Sequence, residues 1–134
     1  MQLPTKRFAL LRHEVPAEFP RPSHWDLLLE WEGVAWTWEL RELPALWTKQ
    51  GAADPLVVRR LPDHRLDYLE YEGPISGNRG VVSRHCGGTC HWQVVERQTL
   101  QAKLVSTVWT SQVTLVRLPE PECWQLEAVS THPL

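Results

Sequence analysis

Along almost the whole chain apolar and polar residues alternate with a period of two, while the 3.6-residue period of an amphipathic helix is nearly absent. Successive side chains of a strand point to opposite faces, so this pattern calls for sheet packed on one face and wet on the other. Strands are predicted over residues 7–12, 24–31, 34–40, 56–61, 67–72, 80–86, 89–96, 102–107, 112–118 and 123–129. Glu32-Gly33 and Gly87-Gly88 supply hairpin-type turns, and Pro119-Glu120-Pro121 parts the last two strands. Residues 14–23 carry Pro16, Pro20 and Pro22, which have no N–H to give to a ladder, so this stretch reads as an irregular loop. Residues 43–53 leave room for one short helical turn ahead of Asp54-Pro55. About ten short strands with such punctuation predict an all-β fold, a small closed or partly open antiparallel β-barrel with short helical turns.

At 134 residues the chain can bury most of its apolar surface in one core, so a single domain over residues 1–134 is expected. No run nears the ~18 apolar residues of a membrane-spanning helix. Residues 1–7 lead into only a short apolar stretch with no small-residue cleavage site behind it, so a cytoplasmic location without membrane association is expected. Three cysteines, Cys86, Cys90 and Cys123, are an odd count and read as reduced thiols. The net charge of −2 excludes a global basic field, so any nucleic-acid contact must be local, through groups such as Arg7, Arg12, Arg21, Arg59, Arg60, Arg79 and Arg84. The eight tryptophans are read as large core residues, although one beside a polar rim would be able to stack on a nucleobase.

His24-Trp25-Asp26 breaks into this strand-like background. Residues two apart on a strand share a face about 6.6–6.8 Å apart, so His24 and Asp26 can converge on one ion while Trp25 faces away. His13 ends the apolar run Phe8-Ala9-Leu10-Leu11, and His64 sits in a polar turn before another predicted strand. Side chains at strand ends gather at one rim of a barrel, which makes these residues half or more of a metal site. A second segment, His85-Cys86-Gly87-Gly88-Thr89-Cys90-His91, has donors for tetrahedral zinc, but a glycine hairpin would set alternate side chains on opposite faces. The His24-x-Asp26 pair with His64 as third ligand also describes the facial triad of a non-haem iron β-barrel oxygenase.

Several segments together carry a family likeness: Arg7-Phe8-Ala9-Leu10-Leu11-Arg12-His13-Glu14, then His24-Trp25-Asp26-Leu27-Leu28-Leu29-Glu30, then Glu32-Gly33-Val34-Ala35-Trp36-Thr37-Trp38, then Asp63-His64-Arg65-Leu66-Asp67-Tyr68 and on to Ile75. They resemble the 3′-phosphoesterase domain of the bacterial end-joining DNA ligase D, and the likeness spans roughly residues 7–129. The resemblance implies a small β-barrel that binds a divalent metal, most often Mn2+ (with Zn2+ or another ion as substitutes), and trims 3′-phosphate or 3′-ribonucleotide ends of DNA or DNA–RNA strands in repair. It implies His13, His24 and Asp26 as metal ligands and His64 and Tyr68 as the pair acting on phosphate. Asp63 and Asp67 are then candidates to orient the imidazole of His64. A separate end-joining ligase or a Ku-like protein would be the partner.

The chain also departs from that pattern. An arginine that clamps phosphate two positions after the aspartate is here Leu28, and Leu56 and Pro62 stand where the family carries a further arginine and a glutamate. A guanidinium gives charge-assisted hydrogen bonds worth about 1.5–3 kcal/mol each, which leucine cannot make. Either another cation, with Arg12, Arg21, Arg60 and Arg84 as candidates, reaches the site, or the protein is a binding module for DNA ends or a protein partner.

Overall fold

The computed structural model describes residues 3–131. In chain order the strands are β1 (Thr5–Glu14), β2 (His24–Trp31), β3 (Val34–Leu40), β4 (Leu56–His64), β5 (Gly73–Pro74), β6 (Val81–Val95), β7 (Thr99–Ser106), β8 (Thr110–Arg117) and β9 (Cys123–Ser130). They run β1-β2-β3-β4-β9-β8-β7-β6, and β1 pairs again with β6, so eight antiparallel strands close into a barrel with β5 attached to β6. The expected all-β barrel is therefore a closed one. Closure removes the exposed ladder edges that an open sheet would present. No helix among the described residues is long and apolar enough to cross a membrane.

Alternation decides which side chains go inside. Phe8 and Leu10 of β1, Leu27 and Leu29 of β2, and Trp38 and Leu40 of β3 fill the barrel together with Trp92, Leu104, Leu115, Trp124 and Leu126. The tryptophans interlock there: Trp38 meets Trp124 edge-on at 5.7 Å, and Trp31, Trp36 and Trp92 form a mutual cluster. The intervening residues of β1–β3 face outward, where Ala9, Leu11, Leu28 and Ala35 form a second, smaller apolar cluster with Leu69. The β2–β3 hairpin turns at Glu32 (φ 46°) and Gly33 (φ 86°), the left-handed pair that matches strand twist.

Three sequence expectations are corrected. Residues 67–72 do not form a strand; Leu66–Leu69 is a single 3-10 turn. Leu66 and Leu69 lie three apart, the spacing at which side chains of such a turn align, and both pack on the outer cluster. Residues 43–53 form turns and a Pro44–Ala52 bridge, without the predicted helical turn; Trp47 from this segment stacks on Trp109 at 4.5 Å.

Gly87-Gly88 is not a hairpin, but lies inside the 15-residue strand β6. The glycines are there because β6 is gripped between two neighbours: a Cβ on Gly88 would sit 1.9 Å from the Val105 carbonyl oxygen, and one on Gly87 would sit 2.8 Å from that of Phe8. Gly88→Ala is accordingly expected to destabilise the fold by about 1–3 kcal/mol, the usual cost of overpacking, seen as a lower urea midpoint at unchanged slope.

Candidate metal centre

β1 and β2 pair with His13 directly opposite His24 and Leu11 opposite Asp26. His13, His24 and Asp26 share the outward parity of Leu11 and Leu28, so the three meet on the outer wall of the barrel beside its rim, not inside the mouth. One ligating atom from each lies within 4.8 Å of the others. His24 Nε2 is 3.2 Å from Asp26 Oδ1, and His13 Nδ1 is 3.9 Å from Asp26 Oδ2.

Backbone carbonyls fix how each imidazole presents itself. His13 Nε2 lies 2.8 Å from the Arg79 oxygen and His24 Nδ1 lies 3.1 Å from the Pro22 oxygen. A carbonyl only accepts, so each of these nitrogens carries the proton, and the neutral rings turn the lone pairs of His13 Nδ1 and His24 Nε2 toward Asp26. Three acceptors thus converge with no donor among them, and Asp26 Oδ1 is buried without a hydrogen-bond partner. Asp26 is also the direct cross-strand neighbour of Glu39, and both side chains are buried. Glu39 is balanced by Arg21 and by Arg41 at 3.3 Å. Asp26 has no such fixed cation, and like charges placed opposite each other repel. Two imidazoles and an uncompensated carboxylate fit a divalent cation with open coordination positions.

Burial lowers the proton affinity of His24, but once the ring is protonated its Nε2–H donates to Asp26, and that hydrogen bond and charge, the Pro22 carbonyl and Glu39 outweigh burial and raise the pKa above its ordinary ~6.5. In the metal-free protein this contribution to stability is complete below about pH 6.5 and is lost as pH rises through the raised value. Metal needs the neutral ring, so the melting-temperature gain on adding Mn2+ is expected to grow from about pH 6 to pH 8 as protons leave His24.

The triad opens into two adjoining hollows of about 260 and 290 Å³ that share His13, Asp26, Asp63, His64, Ile75 and Arg79. Tyr68 lines the second, its ring edge-on to His64 at 5.5 Å, because the 3-10 turn follows directly on β4. His64 Nδ1 lies 2.9 Å from the Pro62 oxygen, so this carbonyl orients the ring. The predicted orienting carboxylates make no hydrogen bond to it: Asp63 accepts from Arg60 at 2.6 Å, and Asp67 belongs to the 3-10 turn. His64, which an iron facial triad would need in place of His13, lines the cavity outside the three-residue cluster.

Of the four arginines proposed to reach phosphate, Arg21 lines the first hollow, bonded to Glu39. Arg12 has inward parity, stacks over Trp25 at 4.9 Å and pairs with Glu14. Arg60 lies over Trp38 at 5.0 Å and donates to the Thr37 carbonyl at 3.2 Å; Arg84 donates to the Leu69 carbonyl at 3.1 Å. Leu28 is fully buried under Leu69 in the outer cluster, so the clamp position has become a packing position.

Two residues of the site lie outside the set expected for it, although Arg79 is among the arginines named for local nucleic-acid contact. Arg79 lines both hollows and gives its carbonyl to His13, an approach that depends on Gly80, where φ is 102° and a Cβ would fall 2.0 Å from the Glu14 oxygen. The signal was the Gly77-Asn78-Arg79-Gly80 loop itself. Glu39 has outward parity on β3 beside Thr37 and Ala35, legible once that strand's apolar face was assigned.

The His85–His91 segment gathers no zinc site among the described residues, where His13, His24 and Asp26 form the only cluster of three ligating groups. Cys86 and Cys90 face the core, His85 packs on Trp25 at 5.0 Å, and His91 is hydrogen-bonded to Thr5 and Thr89. Burial pushes the Cys86 thiol up to about 11 despite the nearby Arg84 charge and a Ser106 hydrogen bond, and pushes Cys90 up further. Among the three cysteines, only the half-buried Cys123 is therefore expected to react with a thiol reagent at pH 8 in the native state, and all three after denaturation.

A scan of protein-family models finds no match to the chain, and neither does a search of curated proteins.

Proposed function

We propose that this protein is a metal-dependent 3′-phosphoesterase acting on 3′-phosphate or 3′-ribonucleotide ends of DNA, with His13, His24 and Asp26 holding a divalent ion, Mn2+ first. The observation that carries the reading is the orphaned Asp26 oxygen facing two imidazole lone pairs, in a cavity that also holds His64 and Tyr68. It is joined by the resemblance of residues 7–129 to the ligase D phosphoesterase domain.

When bound, the ion supplies charge neutralisation at the scissile phosphate. His64 Nδ1–H donates to the Pro62 carbonyl, which leaves Nε2 facing the substrate. As a water adds to phosphorus and the P–O3′ bond breaks, an Nε2–H of His64 would give its proton to the leaving 3′-oxygen, the water's proton would pass to solvent, and Tyr68 would position the phosphate. Arg21 and Arg79 on the cavity walls are the cations nearest in kind to the missing clamp. Val15 and Phe19 of the loop between β1 and β2 wall the site on its other side, held by Val15 N–H to Ser23 Oγ at 3.0 Å and Phe19 N–H to the Pro16 carbonyl at 3.0 Å. A separate end-joining ligase or Ku-like protein would use the 3′-hydroxyl product.

The test is incubation with Mn2+ and a primer–template ending in a 3′-phosphate or one 3′-ribonucleotide. Wild type is expected to yield a 3′-hydroxyl end, and His24→Ala none. The burial of Leu28 supports a second reading, a binding module for DNA ends without catalysis. A wild type inert on both ends that still binds metal would favour it.

A further inference from the structure

The triad cavity does not end at the metal ligands. Arg21, Leu61, Pro62 and Asp63 line both the first hollow and a shallower trough along β4, which also holds Arg59, Arg60 and Arg117. Arg60 and Arg117 in turn line a third hollow of about 250 Å³ walled by Trp36, Trp38 and Trp124. One continuous path therefore runs from the triad, past four arginines, to a tryptophan-lined recess, which Arg97 also borders.

The charges along this path are unevenly committed. Arg60 is anchored by Asp63 and by backbone carbonyls. Arg59, Arg97 and Arg117 make no ion pair and no side-chain hydrogen bond among the described residues, although Arg117 lies over the Trp124 ring at 5.7 Å. Glu122 in the trough and Glu96 in the recess are the carboxylates beside these arginines, besides Asp63, which is paired with Arg60; on a chain whose net charge is −2 the positive potential is therefore local to the unpaired cations. In the recess Trp38 and Trp124 are buried, with Arg60 and Arg117 over their rings at 5.0 and 5.7 Å, so the planes open to a base are the half-buried Trp36 and the guanidinium groups of Arg60 and Arg117. The recess has the room of roughly eight waters at about 30 Å³ each, enough for one planar heterocycle.

From this juxtaposition we infer that the path is the seat of a single nucleic-acid strand whose 3′ end lies at the triad: the uncommitted Arg59 and Arg117 meet its phosphates, and the tryptophan recess takes a base. Assigning the 3′ end to the triad rests on the phosphoesterase reading; the strand site itself rests on the trough. Cationic grooves with aromatic platforms bind single strands with little sequence preference, because every base has a π-face and every link a phosphate.

The experiment is fluorescence anisotropy of a short 5′-labelled single-stranded DNA carrying a 3′-phosphate, in EDTA so that no turnover occurs. The double variant Arg59→Ala/Arg117→Ala, checked for unchanged melting, is expected to bind about tenfold weaker at low salt. Its log affinity against log salt slope should be shallower by about 1.4, two single-strand phosphate contacts at ~0.7 each. Replacing the bases of the probe by abasic sites is expected to weaken wild-type binding about fivefold or more. No binding by wild type, or equal affinity and slope for the arginine variant, overturns the strand site; equal binding of the abasic probe overturns the base recess. Arginine-dependent binding by a protein that releases no phosphate with Mn2+ would overturn the phosphoesterase reading and leave the strand site standing.

Discussion

Asp26→Asn is expected to weaken Mn2+ binding by 100-fold or more while leaving the metal-free protein at pH 8 as stable as wild type, or more stable. Loss of an outer partner of a metal ligand typically costs 10–100-fold, and an anionic ligand itself costs at least the upper end of that. The stability half follows from the ladder. Asp26 stands opposite Glu39, both are buried, and the carboxylate oxygen nearest His24 has no donor once that ring is neutral. Removing one of two facing charges relieves repulsion without opening a cavity. A structural ion pair would behave in the opposite way, since taking one partner from a buried pair costs about 3–5 kcal/mol. Isothermal titration with Mn2+ and urea unfolding in EDTA read the two halves separately.

The second large effect lies in the barrel interior. Trp38→Ala is expected to lower stability by about 3–5 kcal/mol, the range for deleting a fully buried aromatic side chain. Trp38 is wholly inaccessible, meets Trp124 edge-on at 5.7 Å and carries the Arg60 guanidinium at 5.0 Å. Its loss removes a large volume from the core and unseats Arg60. At about 3–5 °C per kcal/mol for a domain between the small and mid-sized ranges, the melting temperature should fall by 10 °C or more. Trp38→Phe keeps most of the volume and is expected to lose about half as much.

The architecture was legible because a period of two leaves few options. Phe8, Leu10, Leu27, Leu29, Trp38 and Leu40 alternate in sequence and all reach one interior. Closure of the ring was not legible, since it depends on β1 finding β6, a pairing that no local pattern encodes. Gly87-Gly88 carries the composition of a turn, yet in a strand pressed between two backbones glycine serves close approach, and sequence does not separate these uses. The short apolar run after Asp67 fits strand or turn equally well, and packing of Leu69 on Leu28 decided it.

At the site, the spacing of His24 and Asp26 placed two groups on one face, and His13, named as third ligand from the resemblance, lies across the ladder from His24. The face itself, outer wall instead of mouth, follows from parity against Leu27 and Leu29. The carbonyls of Pro22, Pro62 and Arg79 that fix the three imidazoles were invisible beforehand, because backbone acceptors carry no residue signature. The fate of the arginine candidates depended on partners far along the chain, Glu39 for Arg21, the Thr37 carbonyl for Arg60 and the Leu69 carbonyl for Arg84, which only the assembled barrel supplies.

Everything functional depends on a cation seated among His13, His24 and Asp26. Calorimetric titration of Mn2+ into the metal-free protein at pH 8, beside His24→Ala, tests this most directly. One saturable equivalent in wild type and none in the variant is the predicted result; no saturable binding in wild type, or the same isotherm in both proteins, would contradict it.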